Sequence, residues 1–169
     1  MRRRLKRMRR RLKRKPNADL YEFKHECLTE SEQLFEQGHI DLFYGDESGM
    51  SLLPCVLYAW HFTDEQIAMP GERGGNLNCF ALISRDNRIH RYLTEKTVNA
   101  AWISERSDAL SLSLSRLTVI VLDNASVHKK AVRERRAIWQ ECGLFVFFLP
   151  AYSPHLNIAE ILWRKLKYE

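Results

Sequence analysis

Three features of this chain predict an α/β fold: a mixed sheet with helices packed on both of its faces. β-prone runs recur at IDLFYGDESG (40–49), NCFALIS (78–84), RIHRYLT (88–94), LTVIVLD (117–123) and LFVFFLP (144–150). LTVIVLD and LFVFFLP are apolar on both faces, the pattern of strands buried in the middle of a sheet. Segments with helical periodicity stand before, between and after these runs, so an antiparallel meander is followed by strand–helix–strand units.

The elements follow in order. Pro16 closes a basic arm, and ADLYEFKHECLTESEQLFEQG then spaces Leu20, Phe23, Cys27, Leu28, Leu34 and Phe35 at helical intervals before Gly38 stops it. In IDLFYGDESG, Ile40, Leu42, Tyr44 and Asp46 fall on one face of a strand and Phe43 on the other, with Asp46 expected at its far end. SLLPCVLYAW contains Pro54 and reads as an edge strand or an irregular connection, and MPGERGGN (69–76) as a loop. NCFALIS and RIHRYLT flank an Asp-Asn turn at 86–87 and form a predicted β-hairpin. TVNAAWISERSDALSLSLS, SVHKKAVRERRAIWQECG (126–143) and IAEILWRKLKY are predicted helices, the second ended by Gly143.

At 169 residues and 45% hydrophobic side chains, the chain is long enough for one domain with a real core. Its longest apolar runs fall well short of the roughly 18 residues that span a bilayer. The basic N-terminus lacks the apolar core of a signal peptide, so a cytoplasmic protein without membrane contact is expected. Cys27, Cys55, Cys79 and Cys142 are scattered without a C-x-x-C pair, which argues against a zinc knuckle or a disulfide framework. No glycine motif for a nucleotide cofactor is present. Residues 1–15 hold eleven Lys or Arg and no acid, while the remainder has sixteen basic and twenty-one acidic residues. A like-charged block of that kind favours nucleic acid through counterion release. Leu5, Met8 and Leu12 sit at helical spacing within it.

Three acids stand out. Asp46 and Asp123 each follow an apolar strand and precede a short polar turn, GDES and LDNAS. If their strands are neighbours, two carboxylates lie close together, which is costly unless a cation separates them; hard oxygen ligands suit Mg²⁺ or Mn²⁺. The bland alternative for each is a turn former or helix cap. Glu160 lies three residues after Asn157, the spacing of a capping box. Yet Pro150, Tyr152, Ser153 and Pro154 stiffen the approach to it, which suits a ligand that must be held in place.

DLFYGDESG with YAW downstream, VIVLDNASVH and FLPAYSPHLNIAEILWRKLK together resemble the catalytic domain of bacterial insertion-sequence transposases related to mariner elements, of the DDE type. The resemblance covers about residues 40–169. It implies a ribonuclease-H-like fold in which Asp46, Asp123 and Glu160, the last two separated by thirty-six residues, bind two divalent ions, Mg²⁺ or Mn²⁺. It also implies phosphodiester cleavage and strand transfer at transposon ends, with transposon-end and target DNA as partners and a homodimer as the working form. Ser48, Asn124, His128 and Asn157 are candidates to support the ligands or touch phosphate, and Lys129, Lys130, Arg133, Arg135 and Arg136 to face the DNA backbone. Residues 1–38 resemble an arm and linker helix and 39–169 the catalytic domain, expected to be C-terminally truncated because nine residues follow Glu160. The competing expectations are a different ribonuclease-H-like endonuclease, a non-catalytic remnant that binds nucleic acid through its arm, and, more distantly, an acid–base enzyme using Asp46 and Glu47.

Overall fold

The computed structural model describes residues 17–51 and 75–168. The basic arm, SLLPCVLYAW from Leu52 on, most of MPGERGGN, Cys55 and Trp60 lie outside the described residues. The elements are α1 (Ala18–Glu36), β1 (Asp41–Ser51), β2 (Asn76–Ile83), β3 (Ile89–Thr94), α2 (Ala100–Ser111), β4 (Thr118–Leu122), α3 (Ser126–Glu141), β5 (Leu144–Phe148) and α4 (Ile158–Tyr168), with one 3₁₀ turn at Pro154–Leu156. The five strands form one sheet in the order β3-β2-β1-β4-β5. The first three pair antiparallel, and β1, β4 and β5 run parallel. The predicted mixed sheet is therefore present.

Alternation along the strands sends side chains into two cores. Phe43, Phe80, Leu82, Ile120 and Leu122 pack against α2 and α3 on one face, where Ile103, Ala131 and Trp139 meet them. Leu42, Tyr44, Cys79, Ala81 and Val121 face the other way, against Leu28 of α1 and Ala159 and Trp163 of α4. Burial of apolar surface at about 25 cal/mol per Å² makes these two layers the main source of stability. They place α1 and α4 on the same side of the sheet. That is the side to which Asp46, in step with Leu42 and Tyr44, also points.

Two sequence expectations need correction. Asp46 is not at the end of its strand: β1 continues to Ser51, because β2 supplies ladder partners as far as the pair Ser51 and Asn76. GDES is thus strand rather than turn, and its glycine has a packing role. A Cβ on Gly45 would come within 2.6 Å of Leu122 Cδ2 and 2.9 Å of Leu82 Cδ2. What does end early is the pairing with β4, whose last partner is Tyr44, so Asp46 projects beyond the end of the neighbouring strand. The second correction concerns α2, which is shorter than its pattern. Asn99 caps it by accepting from the Trp102 N–H at 3.0 Å, and it ends at Ser111.

Candidate active site

Asp46 is carried by β1, and Asp123 immediately follows β4, which lies beside β1 in the sheet. Glu160 stands in the first turn of α4 and is exposed. Two cavities adjoin at this end of the sheet. One, of about 600 Å³, is lined by Asp46, Glu47, Ser48, His155, Glu160 and Trp163 among others; the second, of about 470 Å³, by Asp123, Asn124, Tyr152, Asn157 and Glu160 among others. Glu160 and Pro154 belong to both walls, so the two cavities form a recess divided at Glu160, with Asp46 on one side and Asp123 on the other.

The position of α4 depends on Asn157. This side chain is only 2% exposed; its Nδ2 donates to the Gly45 carbonyl at 3.1 Å, and its Oδ1 accepts from the Ala159 N–H at 3.0 Å. It therefore caps the helix and fastens it to β1 one residue before Asp46. The capping box does not form, since the Asn157 N–H donates instead to Pro154 O at 3.0 Å. That arrangement leaves the Glu160 carboxylate free of a capping duty. Asn157 is too deeply buried to touch phosphate and acts by positioning.

Asn124 has a similar task. Its Nδ2 donates to the Leu149 carbonyl at 2.5 Å, and the Leu149 N–H donates to Leu122 O at 2.9 Å, tying the start of the β5–α4 loop to the end of β4. Lys24 of α1 donates to Phe148 O at 2.6 Å on the same strand end, and Tyr21 lies 3.0 Å from His155 Nε2. Helix α1 thus reaches the rim of the recess.

His128 is fully buried, although it lies on a helix rich in exposed basic residues. Its Nδ1 lies 2.7 Å from Asp123 Oδ1. Its Nε2 lies 2.9 Å from Glu47 Oε1 but out of line for a hydrogen bond, so that contact is an ion pair. Burial by itself would lower the pKa of the ring, yet the Asp123 and Glu47 carboxylates outweigh it and push the value up to about 9. His128 is then a cation with both nitrogens protonated, and its Nδ1–H donates to Asp123. That bond holds the Asp123 carboxyl below its ordinary range against the opposing effect of burial, with help from the Ala125 N–H at 2.9 Å and from Lys129.

Asp46 has the opposite electrostatics. Burial pushes its carboxyl up to about 7; a backbone hydrogen bond from Glu47 opposes the shift, and the charges of Glu47, Asp123 and Glu160 add to it. Among the described residues, no three His, Cys, Asp or Glu side chains stand close enough together to enclose a cation unaided. The donor set fits a hard divalent ion all the same, because three carboxylates from three elements border the recess and repel one another at Asp46. Ser48 Oγ and Trp163 Nε1 are buried beside the same recess without a hydrogen-bond partner among the described residues.

Of the remaining candidates, Lys129 and Lys130 are exposed on the first turns of α3. Arg135 is turned away from them: its Nε donates to Asp108 Oδ2 of α2 at 3.1 Å, and Trp139 Nε1 donates to the other oxygen at 2.7 Å. It is a clamp between helices rather than part of a DNA face. Glu47, as the partner of His128, was missed by sequence reasoning, although the strand period offered a signal: the residue after Asp46 must point to the opposite face, where α3 packs.

A ribonuclease-H-like mixed sheet, with Asp46 inside β1 and Asp123 just past the neighbouring β4, defines the class of this protein. Residues 41–169 match the family described as DDE superfamily endonuclease, and the chain belongs to that family. It is 30% identical over 130 residues to the Insertion element IS630 uncharacterized 39 kDa protein of Shigella sonnei, covering 74% of this chain and 37% of that one. Among solved structures, the Mos1 mariner paired end complex with Mn superposes with a TM-score of 0.64 at 20% identity, over 98% of this chain and 53% of that chain. The Mos1 Strand Transfer Complex gives 0.62 at 19% identity, over 96% and 51%. The chain thus spans about half the length of the Mos1 chains and little more than a third of the curated relative. No helix among the described residues is long and apolar enough to cross a membrane.

Proposed function

We propose that this chain is the catalytic domain of a DNA transposase, cutting phosphodiester bonds at transposon ends and joining the freed ends to target DNA. Asp46, Asp123 and Glu160 are the carboxylates that hold two Mg²⁺ or Mn²⁺ ions. Residues 39–169 form the catalytic unit, 1–38 serve as basic arm and linker helix, and a second copy of the chain completes the working dimer. The observation that carries this reading is the state of Asp46. A half-buried carboxyl pushed up to about 7 by desolvation, with Asp123 and Glu160 adding to the shift, costs free energy that a divalent cation would relieve. Support also comes from family membership and from Mos1 complexes described with Mn and with Mg.

Bound ions would supply the acidity that turns a water or a DNA 3′-hydroxyl into a nucleophile and would stabilise the leaving oxygen. The chain's own residues do the rest. Asn157 sets Glu160 opposite Asp46, and Asn124 fixes the loop between them. His128 keeps one oxygen of Asp123 occupied, so the other points to the recess in a single orientation. Lys129 and Lys130 offer phosphate contacts at its edge.

Cleavage of DNA carrying the inverted repeats that flank the gene, measured with and without Mn²⁺, tests the reading. Asp46→Asn, Asp123→Asn and Glu160→Gln should each abolish the metal-dependent cut. Full activity in the Glu160→Gln protein would sink the three-carboxylate assignment. A joining assay with a precut end separates a transposase from an endonuclease that only cuts.

A further inference from the structure

The loop between β5 and α4 holds one residue in a conformation that its side chain disfavours. Tyr152 has a φ of 62°, in the left-handed region where a bulky residue stays only if its surroundings impose it. Asn87, at φ 68°, is the other such non-glycine residue among those described, but it sits in the β2–β3 turn and asparagine tolerates that shape.

The strain at Tyr152 is imposed from both sides. Upstream, the Leu149 carbonyl accepts from Asn124 at 2.5 Å, and the Leu149 N–H is tied to Leu122. Downstream, Asn157 is bonded to Gly45 across the sheet. Pro150 and Pro154 remove much of the freedom left between these anchors. The outcome is a tyrosine that is 49% exposed on the wall of the recess shared by Asp123 and Glu160. None of the described residues gives its hydroxyl a hydrogen bond or its ring an aromatic partner. The fold therefore holds a left-handed backbone at a residue whose ring is half-exposed on the recess wall and has no aromatic or hydrogen-bonding partner among the described residues.

We propose that Tyr152 is a stacking platform for an unpaired nucleobase at the DNA end beside the cleaved phosphate, an inference that rests on the DNA-cleaving reading above. Bases inside a duplex are already stacked, so a phosphate drawn into the recess between Asp46, Asp123 and Glu160 leaves the terminal base in need of a partner. An exposed tyrosine ring on the same wall supplies one, with little demand on sequence because every base has a π-face.

The test uses the full chain with Ca²⁺ in place of Mg²⁺ or Mn²⁺, so that the carboxylates are neutralised by a hard divalent ion while binding is read apart from cleavage. The probes are a single-stranded oligonucleotide and a duplex with a frayed end, each carrying 2-aminopurine at the terminal position. The wild-type protein should quench the fluorescence, and Tyr152→Phe should quench it equally. Tyr152→Asn, which suits the left-handed backbone, should keep or raise the melting temperature while losing the quench and binding at least about tenfold more weakly. Quenching by Tyr152→Asn equal to wild type, or no quenching by wild type, overturns the proposal. So does a loss in Tyr152→Phe as large as in Tyr152→Asn, since the hydroxyl would then be the contact. Failure here leaves the carboxylate substitutions and their metal-dependent cut untouched, and failure of those leaves the quench result standing.

Discussion

Asp46 and Asp123 stand in similar sequence settings and end in opposite electrostatic states. Asp46 lies inside β1 with its carboxyl pushed up to about 7, while Asp123 lies just past β4, half exposed, with its carboxyl held down by His128. The difference comes from what lies across the sheet from each. Asp46, on the α4 side, is desolvated by burial and has acidic neighbours besides; Asp123 has a buried imidazolium from α3 bonded to one oxygen. Under the proposed metal-binding role, such a recess would combine a destabilised ligand, Asp46, with a preorganised one, Asp123.

The sharpest way to break that contrast is to remove its source, His128. His128→Ala would leave Glu47 and Asp123 without the cation between them. Loss of a partner from a buried ion pair costs about 3–5 kcal/mol, and the partial exposure of both acids places the expected loss near 3 kcal/mol in chemical denaturation. An unchanged denaturation midpoint would refute the bridge.

Asp46→Asn should act in the other direction. The folded carboxyl, at about 7, lies above its unfolded value of about 3.9, so the group's stabilising contribution is complete below that lower value and is lost as pH rises through 7. The asparagine variant of the metal-free protein should therefore be more stable than wild type at pH 8 by about 2 kcal/mol, a figure reduced for the solvent that Asp46 still sees. The advantage should fade as the pH is lowered towards 4. Equal stability of the two proteins at pH 8 would mean that Asp46 is not strained.

Asp123→Asn is the smallest of the three and carries the opposite sign. Its depressed pKa contributes stability above the unfolded value, lost as pH falls through the folded one. At neutral pH the substitution should cost about 1 kcal/mol, since the side chain is half exposed and the bond to His128 weakens without disappearing. Matching signs for Asp46→Asn and Asp123→Asn in metal-free protein would show that the two sites do not differ as described.

Much of this arrangement was legible in the linear chain, and for identifiable reasons. The alternation in IDLFY and the doubly apolar runs TVIVL and LFVFF are direct records of which faces are buried, so strand identity and the mixed sheet could be read from them. The helix start at Asn157 was likewise visible, because a cap is a local hydrogen bond between residues close in sequence. GDES was misread as a turn because glycine and aspartate favour turns on average, whereas here the ladder with β2 and the close approach of Leu82 and Leu122 to Gly45 decide the matter.

The sequence by itself determined the strand and helix pattern, the three acids and the rigid approach to Glu160, since each is written in composition or in spacings of a few residues. Only the tertiary structure decided that Asn157 fastens α4 to Gly45 from 112 residues away, that His128 is buried between Glu47 and Asp123, and that Tyr152 is held out strained. Those outcomes depend on which side chains meet across the sheet. A one-dimensional pattern carries the period of burial, but the partners of a buried polar group are chosen by packing.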